Sequence, residues 1–144
     1  MLAVIGIAAI PGVSDALVPL GASSVHVSVK PASGSPTTHF AVSFKAGQNT
    51  GIGGATGDRY RVTASDTARA GCQASITTMA PPTHAGATVK VTLAPRARTR
   101  WCAGTFHGEV WKLLYPPCPI DKACPAIAFP PLMVGKFSFR VTRG

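Results

Sequence analysis

Acid is the scarcest chemistry in this sequence. Its 144 residues hold only five acids (Asp15, Asp58, Asp66, Glu109 and Asp121) against fourteen Lys and Arg, a formal charge of +9. Paired-carboxylate catalysis therefore has few candidates. Asp58 and Asp66 bracket one extended segment, and the rise of a strand holds them too far apart to act as a glycosidase pair. No G-x-S-x-G elbow, H-E-x-x-H pair or P-loop occurs. The stretch GIGGATG over 51–57 has the glycines of a phosphate loop but no Lys-Ser/Thr ending, and reads as hairpin glycine. The expectation is a noncatalytic protein without a cofactor.

Helical periodicity is almost absent too, so strands do not alternate with long helices and a parallel βαβ sheet is not expected. Charged residues make up 13% and the mean hydropathy is +0.25, which rules out a disordered polyelectrolyte. The length rules out a large multidomain enzyme. Cysteine is limited to Cys72, Cys102, Cys118 and Cys124, with no C-x-x-C pair, and these spacings match no zinc finger. A blue-copper centre built on Cys102 and His107 would need a second His and a Met close behind the Cys, but none follows before Met133. No metal is expected.

The segment MLAVIGIAAI, broken by Pro11 and Gly12 and followed by Ser14 and Ala16, has the order of a secretory h-region and small-residue cleavage site. It predicts a signal peptide over 1–16, with the apolar stretch running to 22, although no Lys or Arg precedes it. An anchor over Leu2–Ala22 is the weaker reading, because Pro11, Gly12 and Asp15 interrupt it. The expected location is extracellular or at the cell surface, with no span in the mature chain. Export makes disulfides the expected state of the cysteines. Cys118 and Cys124 enclose the short, proline-flanked PIDKA segment and are natural partners, which leaves Cys72 with Cys102. In the chain-entropy view the longer closure adds about 3–4 kcal/mol and the shorter about 2 kcal/mol.

Period-two alternation recurs along 24–143. It marks SSVHVSVK, THFAVSFK, RYRVTAS, a short strand near Cys72 to Thr77, ATVKVTLA, Cys102 to Val110, and KFSFRVT. Turn-forming stretches such as PASGSP, APPTHAG and APRARTR separate them. About seven short strands in one domain predict an all-β, antiparallel sandwich of immunoglobulin-like type with two disulfides. Lettered A to G, that topology puts the glycine-rich BC segment and a long, proline-rich FG loop at one end. The CD and EF segments, with Cys72 and Cys102, lie at the other.

The run THFAVSFKA, RYRVTAS, a lone Cys72, GATVKVTLAP, WCAGTFHGEV and VGKFSFRV resembles the immunoglobulin-like or fibronectin-III-like domains of secreted actinobacterial proteins. The likeness spans about residues 24–143, and its most specific pieces are Trp101-Cys102-x-Gly104-x-Phe106-x-Gly108 and Phe137 to Val141. The resemblance implies adhesion or binding more than catalysis. The cysteine placement departs from that of antibody domains.

Three surfaces are candidates for contact. The FG loop, KLLYPPCPIDKACPAIAFPPLM, holds Leu113, Leu114, Tyr115, Ile127 and Phe129, more apolar area than a solvated loop requires. It could bind a partner or fold back over the core. Its stapled 118–124 loop, presenting Lys122, would suit a trypsin-like protease as constrained inhibitor bait. Finally, Arg96, Arg98 and Arg100 concentrate charge before Trp101, either as a solvated turn or as a polyanion patch. The expected role is a surface binding or structural module whose partner is a protein or a cell-envelope polymer. Nonspecific attraction to anionic surfaces follows, without specific nucleic-acid recognition.

Overall fold

The computed structural model describes residues 24–47, 59–114 and 130–144. All regular structure there is β: β1 (Val27–Lys30), β2 (Ser33–Gly34), β3 (Phe40–Lys45), β4 (Arg59–Ser65), β5 (Ser75–Met79), β6 (Thr88–Leu93), β7 (Gly104–Leu113) and β8 (Leu132–Val141). They form a three-stranded sheet in the order β1-β3-β6 and a five-stranded sheet in the order β2-β8-β7-β4-β5. No helix among the described residues is long and apolar enough to cross a membrane.

Alternation dictates which face each strand buries. In the β3–β6 ladder Phe40, Val42 and Phe44 stand opposite Leu93, Val91 and Val89, and all six are buried. Tyr60, Val62 and Ala64 of β4, Phe106 and Val110 of β7, and Phe139 and Val141 of β8 complete the same cluster from the other sheet. The sheets meet directly: the Phe40 ring stacks on Phe139 with centroids 4.1 Å apart, and Phe139 stacks on Phe106 at 4.9 Å. Trp101 meets Phe40, Phe106 and Phe139 edge-on, and its indole N–H donates to Thr38 O at 2.8 Å. Its apolar body is buried while its polar edge is satisfied. Such a site tolerates truncation poorly, because removing a core aromatic costs about 3–5 kcal/mol.

One lateral side of the structure is closed by chain crossing. After β1 the chain passes from the three-stranded sheet to the five-stranded one. There β2 runs parallel to β8, with Ser33 beside Arg140 and Gly34 beside Val141. Val25 N–H also donates to Val134 O at 2.8 Å, and a Cβ on Gly135 would meet Val27 Cγ2 at 2.6 Å. The opposite side is bounded by the outer strands β5 and β6.

The structure corrects the expected layout in three respects. Eight strands lie among the described residues, against the about seven expected, because Ser33–Gly34 forms a pairing too short to show a period. The short strand expected near 72–77 lies at Ser75–Met79 and joins β4 in the larger sheet. Most consequentially, β7 runs to Leu113 and β8 begins at Leu132, so both ends of the expected 112–133 loop are strand. Leu113 pairs with Arg59 of β4, and Lys112 pairs with Leu132 and is buried. A register shift between Val110 and Trp111 continues the ladder past the point where the sequence alternation fades.

The ladder registers fix the ends. Arg59 beside Leu113 puts the start of β4 and the end of β7 at one end, while the segments 66–74 and 94–103 share the other. The disulfide Cys72–Cys102, with Cα atoms 4.9 Å apart, joins those two segments.

Candidate functional site

The best-defined chemical feature lies at the disulfide end. After β6 the chain turns at Arg96–Ala97–Arg98–Thr99, where Thr99 donates both its backbone N–H and its hydroxyl to Arg96 O, at 2.9 and 2.6 Å. Arg98, the third residue of the turn, has φ +63°, a left-handed conformation that glycine or asparagine usually supplies. Arg96, Arg98 and Arg100 are all exposed.

Gln73, next to the disulfide, clamps this turn. Its side-chain Oε1 accepts from Arg96 N–H at 2.8 Å and from the Thr99 hydroxyl at 3.2 Å, while Nε2 donates to Ser75 O at 3.1 Å. Its backbone N–H donates to Arg100 O at 2.7 Å, and its carbonyl accepts from Cys102 N–H at 3.0 Å. One residue thus ties the turn to the start of β5 and to the residue that anchors the disulfide. A depression of about 470 Å³ results, lined by Gly71, Cys72, Gln73, Thr99 and the three arginines.

The electrostatic setting is one-sided. Only two acidic side chains occur among the described residues, Asp66 and Glu109. Asp66 is taken by Arg69 at 2.9 Å, and Arg69 also donates to Ala103 O. Glu109 lies opposite Thr63 and Lys136 in the five-stranded sheet, within β7. Nothing acidic among the described residues neutralises Arg96, Arg98 and Arg100.

Two other hollows offer less. A groove of about 390 Å³ on the outer face of the larger sheet brings Ser65, His107 and Glu109 together, but no side-chain hydrogen bond links Ser65 to His107. A nucleophile joined to its base is therefore not assembled there. On the same face the Arg61 guanidinium sits 5.9 Å from the Trp111 ring centroid, a cation–π contact that occupies one face of the indole. A larger, mainly apolar hollow of about 620 Å³ lies by β1 and β3, with His26 and Lys45 as its titratable groups.

Of the residues singled out from sequence, the structure brings Arg96, Arg98 and Arg100 onto one turn and bonds Cys72 to Cys102. That bond removes the Cys102 thiolate from any copper site, and no group of three metal-ligating side chains occurs among the described residues. Leu113 belongs to β7, and Leu114 follows it half-buried. Cys118, Cys124, Tyr115, Lys122, Ile127 and Phe129 lie outside the described residues, and with them the second disulfide and the inhibitor loop. Sequence reasoning missed Gln73 and Thr99, whose roles depend on a contact across the fold. Compared with known proteins, the chain matches no family model, no curated protein and no solved structure.

Proposed function

We propose that this protein is a secreted, noncatalytic binding module of immunoglobulin type that holds an anionic cell-surface polymer on its arginine turn. The observation that carries the binding role is the turn itself: three exposed guanidinium groups on a backbone fixed by Gln73, at an end whose one described acidic side chain, Asp66, is already bound to Arg69. A cluster of uncompensated cations on a fixed backbone attracts a polyanion without the cost of ordering the turn at the moment of contact. Arginine also matches phosphate and sulfate oxygens in a two-pronged geometry. Trp101 is only 1% exposed and serves no base-stacking role, so recognition is of charge rather than of nucleobases.

The sheet orders support the fold reading. With β1, β3 and β6 in one layer and β8, β7 and β4 in the other, the strands follow the A-B-E and G-F-C order of immunoglobulin domains. β5 then takes the position that C′ holds in variable-type domains, beside C. Export agrees with a disulfide joining the two loops at one end.

Heparin is a suitable sulfated probe. Its binding to the wild-type chain should weaken steeply with salt, and changing Arg96, Arg98 and Arg100 together to Ala should reduce the slope of log K against log salt by about two to three. Unchanged affinity and slope in a folded triple variant would overturn the assignment.

A further inference from the structure

Edge strands expose backbone donors and acceptors, and proteins ordinarily guard them with charge, proline or brevity. Three of the four sheet edges here follow that rule. β2 has two residues, β1 ends at Lys30–Pro31 and packs beside β8, and β6 presents exposed Lys90 at its middle. β5, the outermost strand of the larger sheet, has none of these guards. Its sequence, Ser-Ile-Thr-Thr-Met, contains no charge and no proline. It lies inside the longest stretch of the chain without Lys, Arg, Asp or Glu, from Ala70 to Val89.

The ladder determines which groups face outward. Ala80 N–H donates to Tyr60 O and Asp66 N–H donates to Ala74 O, so the hydrogen-bonded pairs of β4 and β5 fall on even-numbered residues of β5. The backbone N–H and C=O groups of Ser75, Thr77 and Met79 therefore point away from β4. Gln73 Nε2 covers one lone pair of Ser75 O, and no strand among the described residues takes the others. The side chains of these three residues are exposed, and Met79 is one of two large hydrophobic residues so exposed among those described.

We propose that β5 pairs antiparallel with β5 of a second copy, about a two-fold axis at Thr77, joining two five-stranded sheets into one continuous sheet. This register satisfies every outward group at once: Ser75 meets the partner's Met79, Thr77 meets the partner's Thr77, and Met79 meets the partner's Ser75. A two-fold contact needs only self-complementarity, which an antiparallel strand has with itself. Charge selects this edge. Copies that each carry +9 repel across most surfaces, but here they approach without stacking like charges. Self-association through β5 does not involve the arginine turn, and it responds to salt in the opposite direction to polyanion binding.

Sedimentation velocity on the full chain tests it. Raising salt from about 0.01 M to about 1 M shortens the screening length from about 30 Å to about 3 Å, so the dimer fraction should rise with salt. Thr77→Lys places two like charges opposite each other at the axis and should weaken self-association at least about tenfold with the circular dichroism spectrum unchanged. Thr77→Pro removes an outward N–H while leaving the β4 ladder its donors, and should have the same effect. Thr92→Lys, on the β6 edge, should leave the dimer intact. A wild-type chain that stays monomeric at all salt concentrations, or a dimer that survives Thr77→Lys, would overturn the proposal.

Discussion

Arg98 is held in a conformation that costs a non-glycine residue about 1–2 kcal/mol. Replacing it with glycine relieves that cost, while glycine's greater freedom in the unfolded chain returns about 0.5–1 kcal/mol of it. Arg98→Gly should therefore stabilise the protein by about 0.5–1 kcal/mol in urea denaturation, yet reduce the salt slope for heparin by about one. Opposite signs in stability and binding identify a residue kept for its charge rather than for the turn. Gln73 makes the complementary case. Its side chain gives the turn its shape without contributing charge, and nothing in the sequence beyond its position beside Cys72 marks it.

Strands were legible wherever alternation had one buried face. RYRVTAS coincides with β4, and FAVSFK and TVKVTL fill β3 and β6. Legibility ended where tertiary pairing outran local pattern. Past Val110 the ladder shifts register, Lys112 turns inward, and a lysine followed by leucines reads from sequence as loop. The arginine cluster was visible as composition, but its rigidity was not, since the clamp reaches from residue 73 to residues 96–100. Gly108 illustrates packing between neighbouring strands. It stands opposite Phe137, and a Cβ there would land on that ring. Gly108→Ala should cost about 1–3 kcal/mol by displacing Phe137 from its stack with Phe139, measured as a fall in the urea midpoint at unchanged m.

At the scale of the whole molecule, covalent closure and packing act together at one end. The disulfide end is crosslinked and clamped through Gln73, so its geometry depends on covalent closure as well as on the core. Changing Cys72 and Cys102 together to Ala should lower stability by about 3–4 kcal/mol, read by urea denaturation, and should weaken heparin binding with all three arginines still present. If binding stays at the wild-type level, charge alone suffices and the rigidity of the turn is incidental. The crossing from β1 into β2 has a mechanical consequence. β1 and β2 run in the same direction as β8, with Ser24 at one end of the molecule and Gly144 at the other. Tension applied between those two residues drags β2 lengthwise along β8, so its backbone bonds resist together instead of unzipping one after another.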